Sequence, residues 1–355
     1  MSKTAVIFSP IYYEHSTGKD HPESAKRLRA IIDELKIGKL SASRNWQFVK
    51  PNQASLEDVE LVHGMEYIRL VEAVCQSGGG LLDLGDTQVS RESFGVALHA
   101  VGGTLKAVDF VMGGKFRNAF VLVRPPGHHA GKYRACGFCL FNNVAIAAKY
   151  LLERFGLRRV LVLDIDAHHG NGTHEIFYET DKVLFISLHE DPYSFPGTGF
   201  TSEIGEAEGL GYNVNIPLPF GTNDQIYLRA VDEIARPIIL QYNPQFVLVS
   251  AGFDGHHRDP VANLSLTYQC YQRIFEVIMQ VASEKCSGRV VSVLEGGYCV
   301  NAIGKAVAIA IARMSGTPYA VHDTPRIAET KIMKRGEKVL EEVKRVQGAF
   351  WSMDR

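Results

Sequence analysis

Residues 160–173, VLVLDIDAHHGNGT, give the clearest indication of the fold. It begins with aliphatic residues at 160–163, a pattern typical of a strand that is buried on both faces of a parallel sheet. Asp164, Asp166, His168 and His169 follow at once. Because ligands bind at the carboxyl ends of the strands in open α/β sheets, this stretch predicts a strand whose end carries a functional site.

Short aliphatic runs of the same kind recur along the chain and alternate with helical patterns. The predicted strands are 4–9, 119–123, 159–165, 182–188, 245–250 and 289–294, and the predicted helices lie near 23–36, 92–112, 142–155, 224–241, 265–284 and 300–314. This alternation predicts an α/β fold, a single large domain with a mainly parallel, multi-stranded sheet flanked by helices. We assign residues 1–317 to this domain and 318–355 to a C-terminal helical extension packed on it, with a last helix at 327–348.

The composition excludes several classes of protein. With 38 basic and 39 acidic residues the chain lacks the basic excess of nucleic-acid binders. No apolar run reaches the roughly 18 residues that span a bilayer, so no membrane association is expected. The first residues resemble a strand rather than a signal peptide, and the 6 cysteines are scattered, which together predict a reducing compartment, the cytoplasm by default. The pair Cys136 and Cys139 lacks the second pair that a zinc knuckle needs.

Asp166 and His168 form the strongest candidate pair of metal ligands. At a spacing of two residues in an extended segment, their side chains point the same way. A carboxylate and an imidazole suit Zn²⁺, which in catalytic sites takes about three protein ligands and leaves a position for water. Asp254, which follows another predicted strand, is the natural third ligand. The alternative for an isolated pair of this kind is a solvent-exposed strand end.

Two further polar runs, RPPGHH at 124–129 and EGGY at 295–298, also follow predicted strands. Adjacent His128 and His129 suit a general base and an electrostatic partner near a metal-activated water, or are loop histidines. Tyr298 follows two glycines and could donate its hydroxyl to an oxyanion, or belong to a structural turn. Asp164 lies one step deeper than Asp166, and a buried carboxylate there needs a partner such as an active-site histidine.

Together these segments resemble the histone deacetylase superfamily of arginase-like fold, which includes acetylpolyamine amidohydrolases and acetoin-utilisation proteins. The matching segments, in the family's order, are 21–23 (HPE), 124–130 (RPPGHHA), 137–142 (GFCLFN), 164–173 (DIDAHHGNGT), 195–199 (FPGTG), 250–254 (SAGFD) and 294–298 (LEGGY). The resemblance implies a zinc-dependent deacetylase with one Zn²⁺ per chain on Asp166, His168 and Asp254. Residues 1–317 would then be the catalytic domain.

The resemblance also implies roles for the other polar residues. His129 would act as general base and then acid, His128, paired with Asp164, would act electrostatically, and Tyr298 would polarise the acyl carbonyl. Asn171 falls where some members of the family have Asp and others Asn. Because an uncharged partner stabilises imidazolium less than a carboxylate does, we expect a lowered pKa and a neutral His129.

Further positions correspond to the family's substrate pocket. Phe138, with Gly137 beside it, and Phe195 match the aromatic walls of the acyl-lysine tunnel. Asp86 matches a rim carboxylate that grips the substrate backbone, and Arg27 a basic residue of an internal channel proposed for acetate exit. The resemblance implies K⁺ or Na⁺ at two structural sites, one formed by Asp164, Asp166, His168, Ser187 and Leu188, the other by Phe177, Thr180, Val183 and Tyr212.

The substrate class is the least determined expectation. An acetyl-lysine protein or peptide is favoured, with an acetylpolyamine or another small acyl amine as the alternative. Val261, seven residues after the third ligand, matches a position at the pocket mouth where polyamine-selective relatives can place glutamate. Two other hypotheses are a non-catalytic metal-dependent binding module and a binuclear ureohydrolase. A binuclear ureohydrolase needs additional carboxylates for its second metal. Two of the positions where they would stand are Gly170 and His256 here, so a single metal is favoured. A homo-oligomer stays open.

Overall fold

The computed structural model describes residues 3–353. The strands are β1 (Thr4–Ile7), β2 (Trp46–Val49), β3 (Gly79–Leu81), β4 (Gln88–Ser90), β5 (Asn118–Val121), β6 (Val160–Asp164), β7 (Val183–Glu190), β8 (Asn213–Leu218), β9 (Phe246–Ala251) and β10 (Val290–Leu294). The helices are α1 (Ala25–Leu35), α2 (Gly38–Ser41), α3 (Leu56–Glu60), α4 (Met65–Gln76), α5 (Ser93–Met112), α6 (Asn143–Arg154), α7 (Asn171–Ile176), α8 (Asp224–Ala230), α9 (Arg236–Tyr242), α10 (Tyr268–Cys286), α11 (Val300–Ser315) and α12 (Thr330–Gln347). A π-helical turn, Val231–Ala235, joins α8 to α9.

Eight strands form one sheet in the order β2-β1-β5-β10-β9-β6-β7-β8. Every neighbouring pair in it is parallel. The residues of β5, β6, β7, β9 and β10 are all buried, as their mainly apolar sequences predict. The predicted fold class, a single α/β domain with a parallel sheet, is confirmed.

Helices cover both faces of the sheet. Helices α5 and α6 contact each other and several central strands, while α10 and α11 form a second group with α1. Helix α5 alone has the length and apolar composition of a membrane span within the described residues, but 67% of its apolar window is buried inside the fold. A buried core helix passes the same test, so this property carries little weight.

The predicted last helix is present as α12, which packs on α8 and β8. Beyond it, the Trp351 indole donates a hydrogen bond to the carbonyl of Gly211 at 2.8 Å. Before it, Asp323 accepts a hydrogen bond from His256 at 2.9 Å. The segment after residue 318 is thus attached at several points to the sheet and its loops, and a boundary at 317 stays a prediction.

The strand order brings the polar runs together. Strands β5, β10, β9 and β6 are consecutive neighbours at the centre of the sheet. The chain reverses its direction of strand addition here, and such a switch point opens a crevice at the carboxyl edge. The runs that begin at Arg124, Glu295, Asp254 and Asp166 all leave the sheet at this edge.

Candidate metal centre and active site

Asp166, His168 and Asp254 meet in a buried group whose ligand atoms all lie within 4.8 Å of one another. The His168 Nδ1 atom is 2.8 Å from Asp254 Oδ2 and 3.3 Å from Asp166 Oδ1. Burial, together with the charge of Asp166, raises the pKa of Asp254 to about 7. Two buried carboxylates beside an imidazole are a donor set that fits a divalent cation such as Zn²⁺, which would relieve their repulsion.

Backbone N–H groups around this cluster donate hydrogen bonds to its carboxylates. The Ala167 amide donates to Asp254 Oδ1 at 2.8 Å, and the Gly296 amide donates to Asp166 Oδ2 at 2.8 Å. A Cβ atom at position 296 would lie 2.6 Å from that same oxygen, so only glycine fits. One expectation is wrong in its geometry: β6 ends at Asp164, and Asp166 and His168 lie in a bend rather than an extended segment. They converge because the chain turns back on itself, with the His168 amide donating to Asp166 Oδ1 at 2.9 Å.

His128 and His129 are neighbours with opposite electrostatic surroundings. His128 Nδ1 lies 2.9 Å from Asp164 Oδ2. Burial lowers the pKa of His128, but the charges of Asp164 and Asp166 outweigh it and raise the pKa to about 10. His129 Nδ1 lies 2.8 Å from the amide oxygen of Asn171. Burial and the positive charge of His128 hold the pKa of His129 well below its usual range. The pair therefore combines a charged imidazole with a neutral one.

Side chains from other elements hold the histidine loop in place. Glu295 Oε2 accepts hydrogen bonds from the amides of Gly127 at 2.6 Å and His128 at 3.2 Å. The Asn142 amide group donates to the carbonyl of Ala130 at 3.2 Å while its oxygen caps helix α6. Sequence reasoning missed Glu295 as a positioning residue. The signal was present, because a carboxylate at the end of a buried strand needs polar partners.

Tyr298 stands half-buried at the end of the loop that follows β10. Its ring is 5.7 Å from that of Phe138, and the Arg27 guanidinium lies 4.9 Å from the ring centre. Burial raises the pKa of the Tyr298 hydroxyl well above its usual range, so this group is a proton donor at neutral pH. A neutral phenol at this place can donate a hydrogen bond to a developing oxyanion.

A cleft of about 240 Å³ opens from these residues to the surface. Its lining consists of Asp86, His129, Gly137, Phe138, His168, Ser194, Phe195, Val261 and Tyr298. All five residues that the sequence assigned to the substrate pocket thus lie on the same cleft as His129, His168 and Tyr298. Gly137 is required here for two reasons: its φ is +52°, and a Cβ would lie 2.5 Å from the His129 ring.

Comparison with known proteins identifies the family to which this fold belongs. The model of the histone deacetylase domain matches residues 21–314, which contain every residue of the cleft and the metal group. The chain belongs to the histone deacetylase family.

Its relatives in that family include a protein named probable deacetylase from Archaeoglobus fulgidus, 41% identical over 357 aligned positions and covering 98% of each chain. The histone deacetylase-like amidohydrolase of Pseudomonas aeruginosa is 36% identical over 307 positions, covering 86% of this chain and 79% of its own. Among solved structures, the crystal structure of the HDA15 HD domain superposes with a TM-score of 0.88 at 33% identity, covering 99% of this chain and 95% of that one.

Arg27 is fully buried in this histone deacetylase family member, and its surroundings make it part of a charged network. It donates to the carbonyls of Gly297, at 2.6 Å, and Glu295, and it pairs with Glu23 at 3.0 Å. The second partner of Glu23 is Arg124, at 2.6 Å. Sequence reasoning quoted Glu23 and Arg124 within matching segments but gave them no role. Their role is to anchor the chain before α1 beneath the histidine loop.

The residues predicted to hold monovalent cations fall into two neighbourhoods. Asp164 and Ser187 are register partners on β6 and β7, beside the metal group. At the other, the Phe177 carbonyl accepts a hydrogen bond from the Asn213 side chain at 3.5 Å, and the Tyr212 carbonyl accepts one from the Phe185 amide at 2.9 Å. Cation binding at either place stays a prediction.

Positions 170 and 256, a glycine and a histidine, do not supply the additional carboxylates that a binuclear ureohydrolase would need at the active site. His256 points away from the cleft to Asp323, and position 170 is occupied by a glycine that lies against Asp164. His256, His257 and Asp323 form a group of potential ligands elsewhere, but the Arg258 guanidinium lies 3.4 Å from Asp323 and supplies the positive charge there.

Proposed function

We propose that the protein is a zinc-dependent deacetylase that hydrolyses an N-acyl amide, with acetyl-lysine in proteins or peptides as its substrate. One observation carries this proposal: His168 of the three-ligand group, a neutral buried histidine and a phenol donor line the same cleft. A binding module without catalysis would need the metal group but neither the base nor the donor.

Asp166, His168 and Asp254 would hold one Zn²⁺, which when bound polarises the acyl carbonyl and makes a water acidic enough to attack it. The other steps belong to the side chains. His129 bonds Asn171 through Nδ1, which leaves Nε2 to accept a proton from the attacking water and pass it to the leaving amine. His128 keeps its positive charge next to the reaction, and Tyr298 donates its hydroxyl to the carbonyl oxygen as negative charge develops.

The cleft supports a narrow, uncharged substrate arm. Phe195 stands edge-on to the His129 ring at 5.0 Å, and Phe138 stands edge-on to Tyr298 across the cleft. Aromatic walls accommodate the methylene chain of an acyl-lysine without offering it a charge. Asp86 at the rim is positioned to accept a backbone N–H of a peptide. Val261 at the mouth offers no charge to the distant ammonium of a polyamine, which favours the peptide over the acetylpolyamine alternative.

A deacylation screen tests the proposal. The purified protein is assayed with acetyl-lysine peptides, with peptides that carry longer acyl chains, and with acetylated spermidine and putrescine. We expect release of acetate from the peptides, inhibition by hydroxamates, and loss of activity on chelation that Zn²⁺ restores. Binding of acetyl-lysine peptides without hydrolysis, at full zinc loading, would favour the binding module instead.

A further inference from the structure

The position of Tyr298 is not determined by its own segment. Two glycines precede it, and Gly297 adopts a φ of +115°, so the backbone between β10 and Tyr298 has unusual freedom. A hydroxyl that meets an oxyanion must be placed to within a fraction of an ångström, because small displacements sharply reduce the rate. Something outside the segment must therefore fix this backbone.

Asp259 makes the contacts that do so. Its Oδ2 atom accepts hydrogen bonds from the amide of Tyr298 at 2.6 Å and from the amide of Cys299 at 3.0 Å. Hydrogen bonds from backbone N–H groups to a carboxylate are stronger than neutral ones. Arg27 holds the same segment from its carbonyl side, through the oxygen of Gly297 at 2.6 Å. The carboxylate of Asp259 thus holds the N–H groups of this loop, and the guanidinium of Arg27 holds a carbonyl oxygen of the same loop.

The other oxygen of Asp259 reaches the mouth of the cleft. Oδ1 accepts a hydrogen bond from the amide of Val261 at 3.0 Å, and Val261 lines the cleft. The backbone amide of Asp259 is itself bonded to the carbonyl of His256 at 2.7 Å. One carboxylate therefore joins the loop that carries Tyr298 to the loop that forms the entrance, although the two are 39 residues apart in sequence.

We propose that Asp259 is the positioning residue of this active site: it fixes the Tyr298 hydroxyl against the acyl carbonyl and couples that placement to the entrance through Val261. Asp259 lies outside the lining of the cleft, so it acts through Tyr298 rather than on the substrate. The inference rests on the proposed function, because it assumes that Tyr298 stabilises the oxyanion.

The test is a double-mutant cycle between positions 259 and 298, with turnover of an acetyl-lysine peptide as the readout. Asp259→Ala removes all three acceptor bonds and should lower kcat about 10- to 100-fold with a smaller change in KM. Asp259→Asn keeps one acceptor oxygen and should recover part of the loss. In the Tyr298→Phe background, Asp259→Ala should change kcat by less than about twofold, because the hydroxyl it positions is already gone.

A structural control separates positioning from loss of stability. Asp224 also accepts a backbone hydrogen bond, from the Thr267 amide at 2.9 Å, but this bond holds the start of α10 rather than the loop that carries Tyr298. Asp224→Asn should have the same effect on kcat with Tyr298 present or absent. Zinc content and thermal melting are measured for every variant. Should Asp259→Ala destabilise the fold, Asp259→Asn carries the same cycle.

Hydrogen exchange gives a readout that does not need activity. The amides of Tyr298 and Cys299 should exchange faster in Asp259→Ala than in the unmodified protein. If the effects at 259 and 298 simply multiply, or if exchange at these amides is unchanged, the positioning role is wrong while the proposed function stands. If Tyr298→Phe alone leaves turnover intact, the oxyanion assignment fails and the positioning role fails with it.

Discussion

Two groups of buried or half-buried histidines meet at the loop after β6, and they differ in their hydrogen-bond partners. In the first, His128 and His168 face carboxylates. In the second, the His169 ring is 4.8 Å from both His174 and His189. His169 is bonded to the Thr198 hydroxyl at 2.9 Å, and His189 to the Ser187 hydroxyl and the Gly199 carbonyl.

The hydrogen-bond partners of each histidine determine whether its ring is charged. Burial lowers the pKa of His189 and of His174 to about 4, and it holds the pKa of His169 well below the usual range. In the first group the carboxylates overcome the same burial and raise the pKa of His128 to about 10. The second group anchors the loop that carries Phe195, whereas the first can bind metal and stabilise charge. His129 lies next to the first group, but its partner, Asn171, is uncharged like the partners of the second group.

The largest expected effect comes from removing one of the carboxylates that the histidines of the first group face. Asp166→Ala deletes one of the three proposed zinc ligands and leaves His128 with one fewer negative neighbour, so both bound zinc and turnover should be lost. His174→Gln, in the second group, should retain zinc and keep turnover within about twofold, as expected of a substitution outside the site. Metal analysis and peptide deacetylation measure both. An Asp166→Ala protein with stoichiometric zinc and normal turnover would contradict the ligand assignment.

The second-largest effect is expected from Tyr298, whose hydroxyl is a hydrogen-bond donor beside the first group of histidines. Tyr298→Phe removes one hydroxyl and leaves the ring against Phe138, so zinc content and substrate affinity should survive while kcat falls by about 10²–10³. Steady-state kinetics and metal analysis check this. Near-normal turnover would mean that another group holds the oxyanion, and the metal assignment would stand.

The third prediction concerns the partner of His129. A carboxylate in place of the Asn171 amide would give His129 the kind of partner that His128 has. Asn171→Asp places a carboxylate 2.8 Å from Nδ1 in place of the amide oxygen, and this negative charge should raise the pKa of His129. The base must be deprotonated to act, so activity is lost as pH falls through this pKa, and the acidic limb of the rate profile should move to higher pH. A folded variant whose acidic limb does not move would disprove the pairing.

The smallest expected effect concerns the entrance. Val261→Glu adds a charge at the mouth of the cleft, where attraction to an ammonium at about 4 Å is on the order of a few kcal/mol. It should shift the ratio of kcat/KM toward acetylspermidine over acetyl-lysine peptide, and Val261→Gln, of similar size, should not. An unmodified protein that already prefers acetylpolyamines by about tenfold or more would refute the proposed role of Val261.

The comparison also shows how far the sequence determines the fold. All six predicted strands are present, because their aliphatic runs are buried on both faces. Strands β2 and β8 were missed. Strand β2 is a short, partly exposed edge strand, and β8 contains Pro217 and two asparagines, residues that are depleted in strands and tolerated here at the other edge. The short hairpin β3–β4 and helices α2, α3, α4 and α7 were also missed.

The site could be predicted as a set of residues but not as a set of contacts. The runs after the strands pointed to Asp166, His168, Asp254 and His129, because the ends of parallel strands meet at one edge. Nothing local distinguishes His168 from His169, which face different partners. The double contact of Asp259 with the Tyr298 loop depends on a tertiary approach between distant segments, which no spacing in the sequence reveals.

We propose that one zinc ion, bound by Asp166, His168 and Asp254, makes this protein a deacetylase. The most direct measurement is a titration of metal-free protein with Zn²⁺, in which acetate release from an acetyl-lysine peptide is followed at each addition. The proposal predicts no activity without metal and a linear rise that ends at one equivalent of zinc per chain. Full activity in the metal-free protein, or a plateau that requires two tightly bound ions, would contradict it.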